Sequence, residues 1–149
     1  MIPQSRCVLL VVEDNPADVA LLRYALTTSA VPVSLYAVED GAAALAFLQH
    51  QEPYTTAPSP HLLLLDVNLP KQHGHEVLAE IKADPQLKPL PVIMFSNSAD
   101  PEDIARSYQL GANAYLTKPS TLEDYLGLVR QFTQFWCQTV ELSPVNGKP

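Results

Sequence analysis

Five short apolar runs, separated by segments of helical spacing, divide this 149-residue chain. The third run, "LLLL" at 62–65, has no alternation at all and ends directly on Asp66. A strand that is apolar on successive positions is buried on both of its faces. Strands of this kind alternating with helices predict a parallel sheet with helices packed on both sides, in an α/β fold.

The element boundaries follow from spacing and from helix-start signals. We expect strands over 7–12, 33–38, 62–66, 92–95 and 114–117, and helices over 16–28, 41–50, about 74–83, 101–110 and about 121–138. Asn15 before Pro16 is typical of an N-cap followed by proline in the first helical turn. Asp18 lies three residues after Asn15 and resembles the second half of a capping box.

Composition excludes several classes of partner and site. The net charge of −7, without any cluster of Lys or Arg, argues against binding to nucleic acid or to an anionic membrane. The apolar runs are too short to cross a bilayer, and the N-terminus lacks the pattern of a signal peptide. Cys7 and Cys137 lie at opposite ends of the chain, so we expect two reduced thiols in a cytoplasmic protein. His73 and His75 do not share a helix face, which argues against a metal pair and favours solvent-facing side chains.

Candidate site residues lie at the ends of the first, third, fourth and fifth predicted strands. The first strand is followed by Glu13 and Asp14, the third ends in Asp66, the fourth is followed by Ser96 and the fifth by Lys118. In a parallel sheet the carboxyl ends of the strands meet at one edge, where ligands of doubly wound folds bind. These side chains are therefore expected to share one site.

This set of side chains suits phosphoryl transfer. Clustered carboxylates repel one another unless a cation joins them, and oxygen ligands without His or Cys favour Mg²⁺. A lysine can neutralise a phosphoryl group, and a serine hydroxyl can donate to a phosphoryl oxygen. Asp66, alone at the end of the middle strand, is the best candidate for a nucleophile that forms an aspartyl phosphate.

The same motifs resemble those of response regulator receiver domains of two-component signalling. The matching segments are "VVEDNPAD" (11–18), "LLLLDVNLPKQHGHEVL" (62–78), "VIMFSNSAD" (92–100) and "GANAYLTKP" (111–119). The resemblance implies a doubly wound, flavodoxin-like fold with five parallel strands in the order 2-1-3-4-5 and five helices. It implies a receiver domain over 6–138, with short tails at 1–5 and 139–149.

The resemblance also implies roles for individual residues. Asp66 would accept a phosphoryl group from a phosphohistidine of a sensor kinase. Asp14 would bind Mg²⁺ directly, together with Asp66 and the backbone carbonyl of Asn68, and Glu13 would hold the ion mainly through water. Mn²⁺ or Ca²⁺ could substitute for Mg²⁺.

Three further residues would respond to the phosphoryl group. Lys118 would neutralise its charge, and the bond from Lys118 to Pro119 resembles a cis peptide of the family. Ser96 would bond the new phosphoryl group and draw its loop toward the site. Tyr115 would act as the aromatic switch that turns inward as Ser96 moves.

Finer details resemble the small regulators paired with cyanobacterial phytochromes. They are the opening "EDNPADV", the long loop at 51–60, the connector "DPQLKPLPV" and the aromatic residues of "FTQFW". The resemblance implies a stand-alone, cytoplasmic signalling protein that is not an enzyme in the ordinary sense. Its partners would be a sensor histidine kinase of the phytochrome class and a second copy of the chain, bound through the face of helix 4, strand 5 and helix 5.

Alternatives remain for the function and for the last helix. A pseudo-receiver that binds partners without phosphorylation would retain the same fold. A haloacid dehalogenase-type phosphohydrolase requires a second Asp where this chain has Asn68, and a flavodoxin requires a phosphate loop where it has "EDNPAD". The last helix carries two adjoining apolar stripes, which favour either a broad core face or an interface.

Overall fold

The computed structural model describes residues 6–144 as a five-stranded parallel sheet flanked by helices. The strands are β1 (Cys7–Val12), β2 (Val33–Val38), β3 (Leu62–Leu65), β4 (Val92–Ser96) and β5 (Ala114–Thr117). The helices are α1 (Pro16–Thr27), α2 (Gly41–Leu48), α3 (Gly74–Ala83), α4 (Pro101–Gln109) and α5 (Leu122–Gln134), and a π-helical turn (Phe135–Thr139) extends α5. The strand order β2-β1-β3-β4-β5 confirms the predicted doubly wound fold.

The strand register aligns the carboxyl ends that carry the predicted site. Val12 of β1 pairs with Leu65 of β3, and Leu65 pairs in turn with Met94 of β4. Ser96 at the end of β4 pairs with Thr117 at the end of β5. Residues that directly follow these strands therefore emerge side by side, next to the point where the strand order reverses.

The leucines of β3 explain why an uninterrupted apolar run is stable there. Leu63 and Leu65 face the core on the side of α2 and α3, whereas Leu62 and Leu64 face the core that includes residues of α1 and α5. All four are at most 2% exposed. A strand covered on both faces has no polar side, so the chain first becomes polar where β3 ends.

The start of α1 differs from the predicted capping box. The Asn15 side chain caps the helix by accepting a hydrogen bond from the Ala17 N–H at 2.9 Å, as expected. The Asn15 N–H, however, donates to Glu13 Oε2 at 3.0 Å. The capping-box interpretation of Asp18 is wrong, because its carboxylate instead forms an ion pair with Lys118.

The cysteines also differ from the prediction of two free thiols. Cys7 begins β1, and Cys137 lies in the π-helical turn. The fold brings this turn next to the start of β1. Their Cα atoms are 5.6 Å apart, and the two residues form a disulfide. A separation of 130 residues hides this proximity in the sequence.

No helix between residues 6 and 144 combines the length and apolar character needed to cross a membrane.

Candidate functional site

The carboxyl edge of the sheet brings a buried lysine among three carboxylates. Lys118 Nζ lies 2.5 Å from Glu13 Oε1, 3.2 Å from Asp66 Oδ2 and 3.4 Å from Asp18 Oδ2. Its side chain is 7% exposed, and the ammonium lies 5.5 Å from the centre of the Phe95 ring. A single ammonium therefore compensates three carboxylates, one in α1 and two that directly follow β1 and β3.

Burial and charge oppose each other in this cluster. Burial disfavours the charged form of Lys118, but Glu13 and Asp66 outweigh burial and raise the pKa of the ammonium above its usual value. Burial raises the pKa of Glu13 to about 7, although hydrogen bonds from Lys118 and the Asn15 N–H lower it. Burial therefore disfavours the charged form of Glu13 even beside the ammonium of Lys118.

The loop after β3 holds the candidate phosphoacceptor in place. Asp66 is 8% exposed and directly follows β3. Its Oδ1 accepts a hydrogen bond from the Asn68 N–H at 3.0 Å, while Oδ2 faces Lys118. Gly74 closes the loop, because its N–H donates to the Val67 carbonyl at 2.8 Å. Each carboxylate oxygen of Asp66 is therefore held by its own contact, Oδ1 by the Asn68 N–H and Oδ2 by Lys118.

The donor set fits a hard cation that keeps much of its water. Within residues 6–144 no three acidic, His or Cys side chains converge as a ready ligand cluster. Asp14 is exposed and lies two residues after Val12. Val12 pairs with Leu65, the residue before Asp66. Mg²⁺ needs only one or two carboxylates together with waters and other oxygens. Asp14, Asp66 and the carbonyl of Asn68 are compatible with that requirement.

Ser96 and Tyr115 are linked through the loop that follows β4. Ser96 is fully buried, its Oγ accepts from the Ser98 N–H at 3.2 Å, and its carbonyl accepts from the Lys118 N–H at 2.8 Å. The half-buried Tyr115 donates from its hydroxyl to the Ser98 carbonyl at 2.7 Å. Hydrogen bonds to residues 96–98 therefore connect Ser96, Tyr115 and Lys118, which were predicted to cooperate.

The peptide bond before Pro119 does not have the expected cis geometry. In the part of the chain that the structure describes, the cis peptide bond is Glu52–Pro53, and Lys118–Pro119 is trans. The trans form of an X–Pro bond is favoured by about 0.5–1 kcal/mol. The Lys118 side chain reaches the carboxylates from this trans backbone.

Two residues at the site were not predicted to be there. Asp18 was interpreted as a cap residue, and Tyr125 belongs to the last helix, whose apolar stripes were predicted to form a core face or an interface. Tyr125 is 4% exposed, and its ring centre lies 5.8 Å from that of Phe95, beneath Lys118. Burial raises the pKa of Tyr125 to about 12. The sequence signal for both was only helical spacing, which does not identify the partner of a side chain on another element.

His75 also makes a contact that its sequence context does not reveal. Its Nε2 lies 2.9 Å from Ser107 Oγ, joining α3 to α4. The Ser107 hydroxyl donates to the Asp103 carbonyl at 2.7 Å, so His75 Nε2 must be the donor in its bond to Ser107. The prediction of a solvent-facing histidine is wrong for this residue, because Ser107 is fully buried beneath it.

We expect His75 to make stability depend on pH. Burial lowers the pKa of His75, and the neighbouring His73 lowers it further. The His75 side chain therefore binds a proton more readily in the unfolded chain than in the folded protein. The folded protein keeps its full stability above the ordinary histidine pKa of about 6.5, and loses stability as the pH falls below that value. The variant His75→Gln keeps a donor for Ser107 but does not titrate. Urea unfolding at pH 7.5 and 5.5 should show a larger loss of stability in the wild type than in His75→Gln, and equal losses would contradict the assignment.

Comparison with known proteins identifies the family. Residues 9–130 match the family model of the response regulator receiver domain. The chain is 47% identical over 135 residues to the response regulator Rcp1 of Synechocystis sp., covering 91% of this chain and 92% of that protein.

Solved structures show the same relationship. A phosphorylated cyanobacterial phytochrome response regulator, RcpA, is 43% identical to this chain, and the two structures superpose with a TM-score of 0.88. The match covers 94% of this chain and 100% of RcpA. The Mn²⁺-bound form of Rcp1 is 46% identical, with a TM-score of 0.85 over 92% of this chain and 99% of that one. With the buried lysine and carboxylates at the carboxyl edge of a 2-1-3-4-5 sheet, these matches lead to one conclusion: the chain belongs to the response regulator receiver domain family and is related to the response regulators of phytochromes.

Proposed function

We propose that the chain is a stand-alone response regulator that accepts a phosphoryl group on Asp66 from a sensor histidine kinase. The observation that carries this proposal is the buried Lys118, which contacts both Glu13 and Asp66 beside the end of β3. A lysine in this position supplies a fixed positive charge where a phosphoryl group would develop negative charge. The proposed receiver spans residues 6–138.

The transfer needs little chemistry beyond positioning. A lone pair of the Asp66 carboxylate forms the new O–P bond while the N–P bond of the phosphohistidine breaks, and the bonding pair returns to the imidazole nitrogen. Bound Mg²⁺ would supply positive charge to the phosphoryl oxygens. Asp14, Asp66 and the carbonyl of Asn68 would hold the ion, with Glu13 acting through water, and Mn²⁺ or Ca²⁺ would be substitutes.

Signal output would begin at the loop after β4. The Ser96 hydroxyl accepts a hydrogen bond from the Ser98 N–H, and its own O–H would donate to a phosphoryl oxygen on Asp66. If Ser96 turns toward Asp66, the loop moves and the bond between Tyr115 and the Ser98 carbonyl must change. Tyr115 would thereby report the state of Asp66 to the surface of β5.

The proposed partners follow from the relatives and from the exposed surface. A phytochrome is the proposed kinase partner, because RcpA is a phytochrome response regulator. Tyr108 of α4, Leu122 of α5 and Phe135 of the π-helical turn are 50%, 55% and 53% exposed. These apolar side chains favour a homodimer through α4, β5 and α5. The net charge of −7 argues against nucleic acid or an anionic membrane as partner, and the protein would work in the cytoplasm as a signalling protein, not as an enzyme.

Incubation with Mg²⁺ and acetyl phosphate tests the proposal directly. Intact-protein mass spectrometry should show one phosphoryl group on the wild type, labile to hydroxylamine, and none on Asp66→Asn, which lacks the nucleophilic oxygen. Light scattering on the same samples would show whether the dimer depends on phosphorylation. If the wild type stays unmodified by small donors and by phosphorylated kinase, the pseudo-receiver interpretation is correct instead.

A further inference from the structure

Asp18 is the third carboxylate that contacts Lys118, and unlike Glu13 and Asp66 it does not lie at the end of a strand. It lies in the first turn of α1, and its Oδ2 is 3.4 Å from Lys118 Nζ. Its side chain is 34% exposed, whereas the side chains of Glu13 and Asp66 are 6% and 10% exposed. Asp18 is therefore the solvent-facing member of the cluster.

The contacts of Lys118 use its full donor capacity. An ammonium group has three N–H donors, and Lys118 contacts three separate carboxylates, those of Glu13, Asp66 and Asp18. A new contact with a phosphoryl oxygen therefore requires Lys118 to release one of them.

Geometry favours release at Asp18. The contact of Lys118 with Glu13 is the shortest at 2.5 Å, and losing it would leave a buried carboxylate without its cation. Asp66 would itself carry the phosphoryl group, so releasing Asp66 would take Lys118 away from its new partner. The contact with Asp18 is the longest at 3.4 Å, and water can replace the ammonium at its exposed carboxylate.

We propose that Asp18 is a positioning residue that holds Lys118 in the unphosphorylated site and is exchanged for a phosphoryl oxygen when Asp66 is modified. The inference rests on the proposed phosphoryl transfer to Asp66. Asp18 then opposes phosphorylation in two ways: it competes for the lysine, and it places a negative charge close to the incoming anion.

Beryllofluoride, an anionic mimic of the phosphoryl group, is the probe for this exchange. Fluorine NMR titration with Mg²⁺ present measures its affinity for the Asp66 site. Asp18→Asn should bind beryllofluoride about two- to tenfold more tightly than the wild type, the effect of one partly screened charge. The gain should shrink as ionic strength rises, because salt screens the repulsion that the substitution removes.

Two control variants separate this effect from a general change in charge or folding. Asp18→Glu keeps the charge and should stay within about twofold of the wild type. Glu80→Gln removes an exposed carboxylate of α3 and should leave the affinity unchanged. Urea unfolding of each variant shows whether the fold is retained.

The outcomes distinguish failure of the inference from failure of the proposed function. If the wild type binds beryllofluoride but Asp18→Asn matches Glu80→Gln or binds more weakly, Asp18 is not exchanged and the inference alone is overturned. If the wild type neither binds beryllofluoride nor accepts a phosphoryl group from acetyl phosphate, the proposed function fails and the inference fails with it.

Discussion

Replacing Lys118 with methionine should almost abolish phosphoryl transfer and also destabilise the folded protein. Methionine keeps much of the side-chain volume but removes the positive charge that faces Glu13 and Asp66. Loss of one preorganised electrostatic group at a reacting centre costs a factor of about 10²–10³ in rate. The initial rate of labelling by acetyl phosphate, measured by intact mass, should fall by that factor.

The effect of Lys118→Met on stability should depend on pH. Breaking a buried ion pair by removing one partner costs about 3–5 kcal/mol, because the remaining charge is buried without compensation. Burial already raises the pKa of Glu13 to about 7, and removing the ammonium raises it further. At pH 6 Glu13 can take up a proton and limit the loss, whereas at pH 8 proton uptake is less favourable. The destabilisation should therefore be larger at pH 8 than at pH 6 in urea unfolding without divalent metal.

Lys71 provides the matched control for Lys118. Its Nζ lies 3.8 Å from Asp40 Oδ2, and its side chain is 82% exposed. An exposed ion pair of this kind is screened by water, so Lys71→Met should have little effect on folding stability. If Lys118→Met is as stable as Lys71→Met at pH 8, the buried cluster does not depend on its lysine in the way described.

Gly74→Ala should be among the most damaging single substitutions in the chain. Gly74 begins α3, and a Cβ at this position would overlap the backbone carbonyl oxygen of Asp66 and lie 2.9 Å from Val67 Cα. Neither backbone atom can move without displacing the loop that holds Asp66. We expect a loss of about 3 kcal/mol or more in the free energy of unfolding, together with slower labelling of Asp66.

Gly127→Ala is the opposite case in the same protein. Gly127 lies within α5, and a Cβ added there has no atom within 4 Å. Alanine in place of glycine inside a helix stabilises by about 0.5–1 kcal/mol. The free energy of unfolding in urea should therefore fall for Gly74→Ala and rise for Gly127→Ala. A Gly74→Ala protein with wild-type stability would show that the loop tolerates the displacement.

Local pattern was sufficient to predict a parallel α/β sheet and the residues at its edge, whereas the strand order was predicted from the resemblance to receiver domains. Each strand is marked by its own apolar run, and the polar residue after it marks where the strand leaves the core, so Asp66 and Lys118 could be placed at the same edge. Parallel pairing follows from the alternation with helices. The roles of these residues in metal binding and phosphoryl transfer remain predictions that the experiments above test.

Side-chain partners on different elements could not be predicted from the same pattern. Asp18 has the spacing of a capping box, but the ammonium of Lys118 is its partner in the folded chain. His75 contacts Ser107 of α4, and Cys7 pairs with Cys137 across 130 residues.

The amino-acid pattern is enough to predict the alternation of strands and helices, their parallel sheet, and the polar residues that emerge at its carboxyl edge. Which of these polar groups contact one another is set only in the folded chain. The reason is that hydrophobic periodicity is a local property of a few neighbouring residues, whereas the partner of a charged or polar side chain depends on which groups from distant segments compete for it after packing. Lys118 shows the difference, since its position was predictable but its third carboxylate, Asp18, was not.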